Sequence, residues 1–200
     1  RIFLFGARDV WFVVGIPIYF YAVLSDGTEA GNREAFFLIG SFMAVWTILY
    51  GAVQGAAPRL LRAADRTRAE IIAQARVWVL WLAVIPASLG AVVWITAEPS
   101  ATLTTAIVAG LLIFGGVFAV NSSLHSYLIL AFTSSRRVTL DVGFYYMSNA
   151  AGRLLGTLLS GLTYQIGGLP LCLGTATAMI GLSWIGTRKL HMNTKQDLPS

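Results

Sequence analysis

Residues 140–156 read LDVGFYYMSNAAGRLLG, and they sit inside an apolar run, 138–166, long enough to cross a bilayer. The run nevertheless carries Asp141, Asn149 and Arg153. A charged side chain at a bilayer centre costs about 2.5–3.5 kcal/mol on insertion scales, and of order 10 kcal/mol on an isolated helix. Such groups persist where other helices satisfy them or where a ligand uses them. On sequence alone both explanations stand.

The surrounding composition decides the fold class. Of the 200 residues, 56% are hydrophobic and only 12% charged, with a mean hydropathy of +0.72. A soluble domain carries about 25% charged residues, so the chain reads as an integral membrane protein. A helical crossing needs about 20 apolar residues. Six runs qualify, near 2–24, 35–57, 71–97, 103–132, 138–166 and 169–186. A transmembrane β-barrel would show alternating segments of about 10 residues instead. The expectation is an all-α polytopic membrane protein, with residues 1–190 forming one six-helix bundle and 191–200 a cytoplasmic tail. The chain begins at Arg1 inside an apolar run, which reads as a piece of a longer protein. Residues 2–24 do not resemble a signal peptide: they contain Arg8 and Asp9 and lack a small-residue cleavage site before Ser25.

The connections alternate in charge. Residues 25–34 hold Asp26, Glu29 and Glu34 against Arg33 alone, and 97–102 hold Glu98 and no base. Residues 58–70 hold Arg59, Arg62, Arg66 and Arg68, 133–137 hold Arg136 and Arg137, and the tail holds Arg188, Lys189 and Lys195. Lys and Arg mark the cytoplasmic side. Both ends are therefore expected inside, in a bacterial inner membrane, and six crossings agree with that parity. The net charge of +5 then reports orientation, and no nucleic-acid partner is implied. Residues 58–70 read as a solvated topogenic loop or as a basic helix on the membrane surface.

Polar residues are unevenly shared among the runs. The first carries Arg8 and Asp9, the second Tyr50 and Gln54, the fourth Asn121 and His125, and the fifth Asp141, Asn149 and Arg153. The third has only Arg76 and the sixth no charge before Arg188. Runs 1, 2, 4 and 5 hold the costly groups, whereas 3 and 6 look like lipid-facing supports. The pattern repeats after three helices, as in one half of a secondary transporter.

Spacing sharpens the reading. Asp141, Tyr145, Asn149 and Arg153 recur every four residues, so they share one helix face. Gly152, Gly156 and Ser160 form a small-xxx-small row beside it, suited to close helix packing. Asp141 and Arg153 lie about 18 Å apart along the helix, at 1.5 Å per residue, too far to pair. Arg153, with Asn149, Tyr145 or Tyr146, and with Arg8, makes a candidate site for an anionic substrate. Asp9, Asn121, His125 and Asp141 make a candidate gate or proton-coupling group. The alternatives are pairing with neighbours near the membrane interface for Arg8 and Asp9, packing for His125, and interhelical hydrogen bonding for the two asparagines.

Other chemistry finds no support. There is no G-x-x-x-x-G-K-[ST] phosphate loop. His125 and His191 lack metal-ligand spacing, and Cys172 is alone, which also excludes an internal disulfide. No enzyme activity, metal or cofactor is expected.

Three stretches carry a family likeness: FLFGARDVWFVVGIPIYFY (3–21), NSSLHSYLI (121–129) and LDVGFYYMSNAAGRLLGTLLSG (140–161). They resemble the carboxy-terminal half of the ArsJ family of organoarsenical efflux permeases, within the major facilitator superfamily. YGAVQGAAPRLLR (50–62) resembles the loop joining helices eight and nine of that family. The resemblance implies helices seven to twelve of a twelve-helix transporter, lacking its amino-terminal six-helix bundle. It also implies a functional link to glyceraldehyde-3-phosphate dehydrogenase. That enzyme makes 1-arseno-3-phosphoglycerate from arsenate, and the permease expels it, conferring arsenate resistance. A pentavalent, oxygen-bound arsenic suits guanidinium groups and needs no thiolates. Two other functions stay open: transport of another phosphorylated or drug-like molecule, and a non-transporting membrane partner of a dehydrogenase.

Overall fold

The computed structural model describes residues 2–61, 67–96, 98–133 and 138–196. Among these the regular elements are all helices: α1 (Ile2–Phe12), α2 (Gly15–Leu24), α3 (Glu29–Leu60), α4 (Arg68–Thr96), α5 (Ala101–Phe132) and α6 (Val138–Gln196). Five helical segments are long and apolar enough to cross a membrane, with α1 and α2 together making one. The protein is an all-α, polytopic membrane protein.

Six runs were expected, and the difference lies in α6. Its backbone leaves helical geometry at Gly167 and Gly168. Gly168 has φ +61° and ψ −158°, a conformation open essentially to glycine alone. The chain reverses there. The Thr163 hydroxyl lies 3.2 Å from Cys172 Sγ, and that thiol donates to the Ser160 carbonyl at 3.7 Å. In a straight helix residues 160 and 172 would be about 18 Å apart. So α6 is a hairpin of two arms, 138–166 and 169–196, and the arms are the fifth and sixth runs.

Helix boundaries follow local chemistry. The expected 35–57 and 71–97 lengthen at their starts, because Thr28 caps α3 by accepting from Gly31 N–H, and Thr67 and Glu70 form a capping box at α4. Ser100 likewise caps α5 through Leu103 N–H. Asp26 accepts from both the backbone N–H and the hydroxyl of Thr28, which holds its carboxyl below the usual carboxylate range. The first run breaks after Phe12, since Pro17 supplies no N–H and its ring crowds the carbonyl of Val13. The second arm of α6 continues beyond 190 to Gln196, so the expected tail 191–200 is helical over most of its length. Arg62, Arg66, Arg136 and Arg137 of the basic connections lie outside the described residues, as do residues 197–200.

The core is built around α1, the most enclosed span. Aromatic rings fill the space between α1, α3 and α5. Phe5 meets Phe118 edge-on at 5.3 Å, Trp11 meets Phe114 at 5.1 Å, and Phe12 lies 4.2 Å from Trp46. Trp46 donates its indole N–H to the Leu111 carbonyl at 2.8 Å. On the other side, α1 presses directly onto α6. A Cβ on Gly156 would come within 2.8 Å of Gly6 Cα, and one on Gly152 within 3.0 Å of Ile2 Cα. The small-residue row of the sequence is thus a backbone-to-backbone seam.

The expected division into lining and supporting helices is followed only in part. The second arm of α6 buries one face, with Cys172, Leu173, Ala176 and Ile180 fully enclosed, and exposes an apolar face with Leu171, Leu182 and Ile185, as a supporting helix would. By contrast α3 is the least enclosed span, and Phe36, Phe37 and Ile48 on it are exposed.

The seam predicts opposite outcomes for two glycine substitutions. Gly156→Ala overpacks the α1–α6 contact and destabilises the detergent-solubilised protein by about 1–3 kcal/mol. Gly161→Ala meets nothing within 4 Å and gains about 0.5–1 kcal/mol from helix propensity. Thermal unfolding of the two variants checks the difference in sign.

Candidate functional site

The α1–α6 seam places Asp9 against Arg153. About one helix turn of close contact, from Gly152 against Ile2 to Gly156 against Gly6, brings the backbones near enough for side chains beside the row to meet. Arg8 donates its Nε–H to Asp9 Oδ1 at 2.6 Å, and Arg153 donates its Nε–H to Asp9 Oδ2 at 3.3 Å. One carboxylate therefore serves two guanidinium groups, one oxygen each. With two cations and one anion, the cluster has a net charge of +1.

The two arginines differ in setting. Arg8 is only 12% exposed, and its guanidinium carbon lies 5.4–6.0 Å from the ring centroids of Phe118, Phe5 and Tyr50. Cation–π contact and the Asp9 ion pair together account for its burial. Asp9 is 2% exposed, whereas the Arg153 side chain is 63% exposed. Arg153 lies near the middle of a 29-residue crossing, about 22 Å from its start at 1.5 Å per residue. An exposed arginine at that depth is costly against hydrocarbon.

Donor capacity remains. A guanidinium has five N–H donors, and each arginine uses only Nε here. Among the described residues the Nη groups of both make no hydrogen bond. On Arg153 they are presented at the exposed face, in the planar fork that suits oxyanions.

The other expected site residues fall on α6 (Tyr145, Tyr146 and Asn149) and on α5 (Asn121 and His125). Tyr145 shares a 2.5 Å hydrogen bond with Ser126, which joins α6 to α5. Tyr146 packs edge-on against Tyr145 at 5.3 Å and is exposed. Asn149 Oδ1 is buried without a hydrogen-bond partner among the described residues. Asn121 is fully buried, and neither of its amide atoms has such a partner. It lies one turn beyond Phe118, the ring beneath Arg8. His125 follows one turn later and is half-buried.

The expected grouping of Asp9 with His125 and Asp141 is not what the structure shows. Asp9 pairs with the two arginines. Asp141 instead accepts from the Thr133 hydroxyl at 3.0 Å, beside the start of α6. All three residues lie toward one end of their helices, yet depth does not fix which way a side chain points. Arg8, expected as a substrate ligand, is buried and neutralised by Asp9 in this arrangement.

Two further residues belong to the site's surroundings. Tyr50 forms one wall around Arg8, and Gln54 donates to Ser122 at 3.3 Å. The four-residue spacing of Trp46, Tyr50 and Gln54 marks this face of α3. Elsewhere, a groove of about 740 Å³ runs between α4 and α5, lined by Trp78, Trp81, Ile113 and Val117 among others. Its walls are apolar and it lies apart from the ionic cluster, so the cluster is the better candidate for anion chemistry. Among the described residues no group of His, Cys, Asp and Glu is arranged to hold a metal ion. No protein-family model, curated protein or solved structure matches the chain.

Proposed function

We propose that this chain is the carboxy-terminal half of a secondary transporter that exports a small oxyanionic molecule, and that the cargo is the organoarsenical 1-arseno-3-phosphoglycerate. The observation that carries this reading is Arg153: a mid-membrane guanidinium, 63% exposed, whose Nη donors have no partner among the described residues. Phosphate and arsenate groups match that donor fork in geometry and charge. The likeness of 3–21, 121–129 and 140–161 to the ArsJ permeases supplies the arsenical. In this reading an amino-terminal bundle closes the other side of the site and both ends of the chain lie in the cytoplasm. A glyceraldehyde-3-phosphate dehydrogenase supplies the cargo.

Export of such an anion is electrically favourable. Each negative charge leaving an inside-negative cell gains about 2.3 kcal/mol per 100 mV. Proton exchange is assigned to His125, whose side-chain type titrates nearest neutral pH, with Asp141 at the cytoplasmic mouth. The cluster recognises an oxyanion and not its central atom, so another phosphorylated metabolite is the second reading.

Arg153→Ala, in the complete protein at equal expression, is expected to abolish arsenate resistance in cells that also express the dehydrogenase. Unchanged resistance would remove Arg153 as a cargo ligand. Export by His125→Gln is expected to lose its dependence on pH. A normal pH profile in everted vesicles would reassign the coupling group.

A further inference from the structure

The two contacts of Asp9 are unequal, and the inequality has a functional sense. The Arg8–Asp9 contact is 2.6 Å, between neighbours in sequence that are both nearly enclosed. It is boxed by Phe5, Tyr50 and Phe118. The Arg153–Asp9 contact is 3.3 Å, longer than the 2.7–2.9 Å usual for a charge-assisted N–H···O bond. Its cation is exposed while its anion is buried. One partner is fixed and the other is loosely held.

We propose that Asp9 is an internal stand-in for the cargo. Its Oδ2 occupies the resting Arg153 until an oxyanion takes that guanidinium away. This deepens the anion-export reading above and rests on it. Loading is then an exchange of anions on one cation. Arg153 turns from Asp9 to the incoming phosphate or arsenate group, while Asp9 keeps Arg8.

Four consequences follow from the charges. Before loading the cluster is +1, and after it receives one oxyanion charge it is neutral. Arg8 never becomes a ligand, because its charge remains matched by Asp9 in a site that excludes water. The site therefore grips one oxyanion group of the cargo, and a second charged group at the cargo's far end has to be met by residues outside the cluster. Competition from Asp9 also keeps affinity moderate, which an exporter needs in order to release what it binds.

The test uses the complete protein in nanodiscs, wild type and Asp9→Asn. Arg153 is modified with phenylglyoxal and quantified by peptide mass spectrometry, with 3-phosphoglycerate and inorganic phosphate as protecting probes. Asp9→Asn keeps the shape and removes the competing charge. Modification of Arg153 is expected to speed up severalfold in this variant, with Arg8 staying slow. Half-protection by 3-phosphoglycerate is expected at a concentration at least tenfold lower than in wild type. An unchanged modification rate, an unchanged or higher half-protection concentration, or no protection in either protein would each overturn the exchange. If Asp9→Asn does not fold, Asp9→Glu replaces it, and half-protection unchanged from wild type overturns the proposal. Intact exchange without arsenate export would sink the organoarsenical reading alone and leave the exchange standing.

Discussion

A single buried carboxylate organises this bundle. Asp9 is 2% exposed, and without counter-ions its charge would be prohibitive in an apolar interior. It is tolerable because Arg8 and Arg153 approach from two sides, one on its own helix and one from α6. That approach requires α1 and α6 to be closer than ordinary side chains permit. Gly6, Gly152 and Gly156 provide the distance. The aromatic packing of α3 and α5 then encloses Arg8, and the hairpin at Gly167–Gly168 returns the chain so that its second arm seals the remaining side. Removing the carboxylate would leave a buried guanidinium without its match, which is the costlier half of breaking such a pair.

The same geometry divides labour between two chemically identical side chains. Burial, cation–π contact and a short ion pair fix Arg8. Exposure and a long contact leave Arg153 available. The difference is one of position and not of residue type, so a guanidinium can be enclosed on one helix and exposed on its neighbour.

Much of this was legible in the sequence, for identifiable reasons. Apolar run length gave the crossings, and the 166–169 gap fell on the Gly167–Gly168 reversal because glycines permit it and Pro170 follows. The four-residue spacing of Gly152, Gly156 and Ser160 marked a packing face, since helical periodicity fixes which residues share a side. Arg153 stood out because an intramembrane cation is too costly to be incidental.

What stayed hidden depends on tertiary arrangement. Asp9 and Arg153 are 144 residues apart, and no local pattern joins them. Their pairing follows from the register of α1 against α6, set by the glycine seam. Asp9 was grouped with His125 and Asp141 by depth alone, whereas the direction of each side chain decides its contacts. The burial of Arg8 was equally invisible, since its aromatic walls come from α1, α3 and α5. The most direct measurement of the account is an experimental structure of the complete protein with 3-phosphoglycerate bound. It should show a phosphate oxygen on the Nη groups of Arg153, with Asp9 retaining Arg8 only. An oxyanion bound elsewhere, with the Asp9–Arg153 contact intact, would contradict it.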